Sequence, residues 1–154
     1  MAAVVAVRAA ERDDLPALLE LYRHLVADDP ELSLCEATER WERISRYEGS
    51  AIYIAARENR LVSTCTLIVV PNLTRGGAPY ALIENVVTHA EHRGNGHGRA
   101  VLRAAIDAAW KQGCYKVMLL TGSRNPTTLG FYESVGFEQT KTGFETRRLP
   151  RRGE

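Results

Sequence analysis

Residues 92–100 read HRGNGHGRA, with glycines at 94, 96 and 98 between an apolar strand pattern and a long amphipathic helix pattern. Glycine lets a backbone come close to a ligand and adopt conformations that other residues rarely reach. At a helix start the first N–H groups have no partner within the helix, and with the helix dipole they favour a phosphate. Arg93 can add a charge-assisted contact. A flexible loop that ends in a helix start has the same composition, so the stretch alone leaves both readings open. Two phosphate-binding patterns are absent. A P-loop needs Lys and Ser/Thr after its last glycine, but Arg99 and Ala100 follow Gly98; a G-x-G-x-x-G fingerprint needs a third glycine where Arg99 stands.

Glu84 interrupts the apolar run YALIENVVT. An ionised carboxylate there is costly unless it is paired or solvated in a cleft, which makes it a site candidate. Strand alternation puts Leu82, Glu84 and Val86 on one face and Ile83, Asn85 and Val87 on the other, and a bulge would change this parity. His89 and His92 have H-x-x-H spacing, but no cysteine or carboxylate pattern completes a ligand set, so no metal is expected. His97 sits among the glycines, its backbone available to a phosphate and its side chain expected at the surface.

The elements that position these residues follow from periodicity. MAAVVAVR reads as a first strand, and RDDLPALLELYRHLV as a helix with Leu15, Leu18, Leu19, Tyr22, Leu25 and Val26 on its apolar face and Asp13 or Asp14 as cap. A weaker helix covers about Cys35 to Tyr47, anchored by Ala37, Trp41 and Ile44. SAIYIAA and RLVSTCTLIVV form a hairpin, and YALIENVVT a fourth strand. The helix after the glycines uses Val101, Leu102, Ala105, Ile106, Ala109 and Trp110 and stops near Gly113. YKVMLLT is a fifth strand, so residues 80–121 make a βαβ unit. In NPTTLGFYESVGF, Asn125 caps a short helix, Pro126 opens it and Gly136 ends it. Short strands near Phe137–Thr140 and Thr142–Leu149 would close an antiparallel end. The class expected is α+β with a mixed sheet, in a single domain over residues 1–154.

Arg93, Gly96 and Gly98 form R-x-x-G-x-G between a strand and an amphipathic helix. This resembles the acyl-CoA-binding motif of the GNAT N-acyltransferase superfamily, and NPTTLGFYESVGF resembles that family's second motif. The resemblance implies a mostly antiparallel sheet of about seven strands with about four helices, its parallel fourth and fifth strands splayed around acyl-CoA. It implies acetyl-CoA as co-substrate, with the pyrophosphate on the backbone of Arg93, Gly94, Asn95, Gly96, His97, Gly98 and Arg99. The pantetheine arm would run along Val86, Val87 and Thr88, and a backbone N–H near Val86 or Val87 would hold the oxyanion. Tyr132 would protonate the departing thiolate, although a core tyrosine paired with Phe137 fits the same position, and Phe131 would pack. Glu84 would act as base through water or anchor the substrate ammonium; an arginine's structural partner is the other reading. Asn125 would touch cofactor, cap its helix, or do both.

IENVV, GCYKVMLL, GFYESVGF and ETRR are similar to segments of glucosamine 6-phosphate N-acetyltransferases, although Glu84-Asn85 stands where those enzymes usually have Glu-Asp. The resemblance implies a small-molecule amine acceptor, such as an amino sugar or amino acid, ahead of a protein. The alternative from another class is a noncatalytic acyl-CoA-binding or interaction module on the same fold.

Composition narrows the setting. Apolar residues make up 45% and charged residues 25% of 154 residues at net charge +1, so no global field recruits nucleic acid or a membrane surface. Cys35, Cys65 and Cys114 form no C-x-x-C pair and read as reduced thiols of a cytoplasmic protein. The apolar start lacks a basic leader and the length of a membrane span. The basic end TRRLPRRGE reads as a solvated terminus, and the C-terminal strands offer interface material for a homodimer.

Overall fold

Runs of β-branched and aromatic residues in the first two-thirds of the chain build one sheet, and the amphipathic stretches between them supply its covering helices. The computed structural model describes residues 5–151, which fall into two compact units dividing between Leu119 and Leu120. The first unit contains β1 (Ala6–Ala9), α1 (Leu15–Tyr22), α2 (Leu34–Ser45), β2 (Ala51–Arg57), β3 (Arg60–Val70), β4 (Tyr80–Thr88), α3 (His97–Lys111) and β5 (Val117–Met118). The second contains α4 (Pro126–Val135). The expected first strand is seen from Ala6; residues 1–4 lie outside the described residues.

The sheet has five strands in the order β1-β2-β3-β4-β5, antiparallel except for the parallel β4–β5 pair. This is the α+β mixed sheet anticipated, with five strands among the described residues in place of about seven. The β2–β3 hairpin turns on Glu58 and Asn59, at φ 51° and 64°, the left-handed pair that matches strand twist in a two-residue turn. YKVMLLT pairs only at Val117 and Met118. The segments 137–140 and 142–149 carry no strand, and Phe144 and Leu149 are 92% and 76% exposed. Alternating residues become a strand only where a ladder partner lies alongside, which local preference does not provide. The basic end is paired in part with Glu145, which meets Arg147 at 3.1 Å and Arg151 at 2.8 Å.

One face of the sheet packs on α1 and α2. Leu15, Leu18 and Leu21 meet Ile52, Ile54, Leu61 and Val87, with Tyr22, Trp41 and Ile44 at the margin. α1 stops at Tyr22, so Leu25, expected on its apolar face, is 41% exposed, and Leu21 takes the buried position expected of Leu19. α2 starts with a capping box: the Glu36 N–H donates to Ser33 Oγ at 3.2 Å and the Ser33 N–H to Glu36 Oε2 at 3.1 Å. α3 buries Val101, Leu102, Ala105 and Ala109, and the Cys65 thiol donates to the Val101 carbonyl at 3.5 Å. Burial pushes that thiol's pKa up to about 12, which makes it unreactive. Trp110 lies off this stripe, half exposed. α3 ends as expected, with Gly113 left-handed at φ 76° and the Cys114 N–H donating back to Ala109 O at 3.1 Å.

Asp14 joins β1 to α1. It makes no side-chain bond into α1; its Oδ2 accepts the Glu11 N–H at 2.7 Å, and Arg8 grips the carboxylate at 2.6 and 2.8 Å. The Arg8 hydrogen bond lowers the Asp14 pKa, with the Glu11 N–H helping against burial. A folded-state pKa below the unfolded one gives stability that is present above about pH 3.9 and lost as pH falls through the folded value. Asp14→Ala is therefore expected to cost about 1 kcal/mol in urea denaturation at pH 7. The gap from wild type should close in acid, and an equal gap at low pH would assign the loss to packing.

Candidate functional site

The site residues on the first unit lie at the end of β4 and in the loop after it. Asn85 is left-handed, at φ 53°, and the β3–β4 ladder slips there: Thr66 pairs with Glu84 and Thr64 with Val87, so two β4 residues stand opposite Cys65 alone. This is a β-bulge, and it reverses the parity of the strand. Val87, and not Val86 as alternation predicts, returns to the face of Glu84, where it is buried against α1. β5 pairs with β4 only at Ala81 and Leu82. Beyond them Glu84–Thr88 have no β5 partner among the described residues.

The end of the strand is held on its other side. Ser63 Oγ donates to the Val87 carbonyl at 3.0 Å and lies 2.8 Å from Thr88 Oγ1, and the His89 N–H donates to Val62 O at 2.8 Å. Arg93 Nε reaches back to the Thr88 carbonyl at 3.2 Å, and Asn95 Nδ2 donates to the His92 and Arg93 carbonyls at 3.2 Å. These two side chains thus brace the loop.

Gly94 and Gly96 have φ of 77° and 81°, and a Cβ at either would meet no protein atom within 4 Å. The requirement for glycine is one of backbone conformation, with open space in front of it. α3 starts directly after Gly96, and the Ala100 N–H donates to Gly96 O at 3.0 Å, so the N–H groups of His97 and Gly98 precede the helical ladder. Arg99 is exposed.

His97 departs from expectation: its side chain is 4% exposed, and Nδ1 and Nε2 are both buried with no hydrogen-bond partner. Burial lowers its pKa, with His92 and Arg57 adding to the effect, so the ring is held neutral. The signal was in the spacing. His97, Val101, Ala105 and Ala109 recur every four residues, which places the histidine on the stripe that α3 buries.

Glu84 is exposed, and none of the salt bridges among the described residues includes it. Its cross-strand neighbour Thr66, together with Thr64, hydrogen-bonds Tyr22, whose phenol pKa is raised by burial against those two bonds. The sequence marked Tyr22 only as a packing residue; its hydroxyl lies on the Glu84 face because Thr64 and Thr66 alternate onto one face of β3 and Glu84 pairs with Thr66. Two open surface hollows, one including Tyr53 and Lys111, the other Arg12 and Glu39, contain none of the expected site residues.

Tyr132 and Asn125 belong to the second unit. Asn125 Oδ1 accepts the Thr127 N–H at 2.9 Å, Pro126 opens α4, and Gly136 ends it at φ 108°, all as expected. The Tyr132 ring is edge-on to Phe137 at 6.3 Å and lies 5.1 Å from Phe131.

Residues 18–137 match the family model described as Acetyltransferase (GNAT) family. The chain belongs to the GNAT family. This GNAT protein is 33% identical over 133 residues to a glucosamine 6-phosphate N-acetyltransferase of Trypanosoma brucei brucei, covering 85% of this chain and 87% of that one. It is 25% identical over 138 residues to an L-methionine sulfoximine/L-methionine sulfone acetyltransferase of Salmonella typhimurium, covering 87% and 80%. A solved structure of a putative acetyltransferase from Agrobacterium tumefaciens superposes with a TM-score of 0.88 at 50% identity, over 93% of this chain and 99% of that one. The protein is an acetyl-CoA-dependent N-acyltransferase, with acetyl-CoA as its co-substrate. No helix among the described residues is long and apolar enough to cross a membrane.

Proposed function

We propose that this GNAT enzyme acetylates the primary amine of a small polar metabolite, an amino sugar first and an amino acid second, by direct attack on acetyl-CoA in a ternary complex. The observation that carries the reading is the stretch of β4 past its bulge that β5 leaves unpaired, leading into left-handed glycines at a helix start. An extended pantetheine arm can hydrogen-bond that stretch as a strand would, along Val86, Val87 and Thr88. The pyrophosphate then meets the backbone of residues 93–99, where the helix dipole favours it. The T. brucei brucei relative favours the amino sugar, and the Salmonella relative favours the amino acid.

In the transfer, Glu84 takes a proton from the substrate ammonium through water. The free amine attacks the thioester carbonyl, and a backbone N–H at Val86 or Val87 stabilises the oxyanion. The C–S bond then breaks, Tyr132 protonates the thiolate, and the proton lost from the attacking nitrogen returns through water to the phenolate. Exposure without a salt bridge favours this use of Glu84 over a structural pairing. Asn125 serves as helix cap. The family match runs through the division at Leu119, which supports one GNAT domain over residues 1–154. Three free cysteines favour the cytoplasm, and exposed Phe144 and Leu149 favour a homodimer through the C-terminal segment.

Thermal shift with acetyl-CoA, desulfo-CoA and ATP is the first test, since a ligand that binds only the native state raises its stability. Both CoA compounds should stabilise the protein and ATP should not; no CoA response would remove the cleft. Free-thiol release with glucosamine 6-phosphate, glucosamine and amino acids then ranks acceptors. For the best acceptor, Glu84→Gln is expected to lower kcat/KM by about a hundredfold. Wild-type kcat/KM in this variant would return Glu84 to a structural role.

A further inference from the structure

The chain has four histidines, and ring contacts join them all. His24, just past α1, lies 4.0 Å from His89 between ring centroids; His89 lies 5.2 Å from His92, and His92 lies 6.2 Å from His97. Between the middle pair stands Glu91. His89, Glu91 and His92 share the short turn from β4 into the glycine loop, and each brings one ligand atom within 4.8 Å of the other two. The H-x-x-H spacing was visible in sequence, but the carboxylate that completes it stands inside the spacing and comes into place through the 3-10 turn at residues 90–92.

We propose that His89, Glu91 and His92 form an ancillary site for a divalent transition metal, outside the acyl-transfer chemistry. Two imidazoles and one carboxylate suit zinc, cobalt or nickel, while magnesium and calcium prefer oxygen ligands. Three protein ligands leave a coordination position for water. His24 packs against the His89 ring, and its Nδ1 accepts the Ala90 N–H at 3.4 Å, so the ring that limits the movement of His89 is itself tied to the turn.

The surroundings of His89 name a competitor. Arg60 Nη2 lies 3.1 Å from His89 Nε2, and the Glu91 N–H points at Nδ1 from 3.2 Å. A neutral imidazole accepts at one nitrogen only, so one of these donors is mismatched in either tautomer. A metal on one nitrogen leaves a proton on the other. An ion at Nε2 takes the place of Arg60, and an ion at Nδ1 turns an N–H toward it. Either way the exposed guanidinium must swing out, and its charge opposes the incoming cation.

The test is a titration of untagged, chelator-treated protein with Co²⁺, followed by its visible d–d absorption, with Zn²⁺ affinity obtained by displacement. One equivalent should bind saturably in the micromolar range. His92→Ala and Glu91→Gln, at half-buried and exposed positions, should each weaken binding about tenfold or more while the metal-free melting temperature stays near wild type. Arg60→Ala should tighten binding severalfold, which a generic surface histidine would not show. No saturable binding up to about 1 mM, or wild-type affinity in the Glu91→Gln, His92→Ala double variant, would overturn the site. So would a thiolate-to-cobalt charge-transfer band, which would place the ion on exposed Cys35.

Discussion

Tyr132→Phe is expected to lower kcat for acetyl transfer by about a hundredfold, equal to about 2.7 kcal/mol of transition-state stabilisation, while acetyl-CoA binds as in wild type. The substitution removes one hydroxyl and keeps the ring. The edge-on contact with Phe137 at 6.3 Å and the contact with Phe131 at 5.1 Å depend on the ring, so α4 keeps its packing. What disappears is the hydroxyl proposed to protonate the leaving thiolate. Steady-state kinetics with a thiol readout, alongside calorimetry with acetyl-CoA, separate the two roles that the sequence allowed. A drop in kcat with unchanged affinity is the signature of an acid used in the transition state. An unchanged kcat would leave Tyr132 as a packing residue and send the search for the acid elsewhere.

Gly96→Val is expected to weaken acetyl-CoA binding by about tenfold to a hundredfold, because it strikes both properties of the loop. At φ 81° a β-branched residue is strained by about 1–2 kcal/mol, and the backbone escapes by leaving the left-handed region. If it does not escape, the side chain projects into the open space in front of the loop, where the diphosphate is proposed to lie. Gly96→Asn separates these effects, since asparagine tolerates left-handed backbone. Affinity partly restored in Gly96→Asn assigns the loss to conformation, and affinity equally weak in both assigns it to close approach. Wild-type affinity in Gly96→Val, measured by calorimetry, would undo the phosphate-cradle argument.

How much of this was legible in sequence depended on how far apart the determining residues are. Asn125, Pro126 and Gly136 bound α4 as read, because a cap, a fixed φ and a left-handed stop act within a few residues. The β2–β3 hairpin, the end of α3 at Gly113 and the span of β4 were legible for the same reason. Glu84 stood out because charge in an apolar strand is costly wherever that strand lies.

What depended on partners was misread. The bulge at Asn85 is set by how β4 registers against β3, so the face of Val87 could not be obtained by counting along one strand. The expected strands at 137–140 and 142–149 have the composition of strands and no ladder. Leu25 lost its helical place when α1 ended at Tyr22. Burial of His97 was written in its spacing, but the meeting of four histidines from residues 24, 89, 92 and 97 required α1, β4 and α3 to converge on one end of the sheet.

The sequence by itself thus determined the family, the glycine loop and the local helix signals, since short-range stereochemistry and motif spacing need no distant neighbour. Only the tertiary structure decided which face each β4 residue serves, how far β5 follows β4, and that His24 packs against His89. Those properties come from strand register and side-chain convergence between segments far apart in the chain, which no local preference encodes.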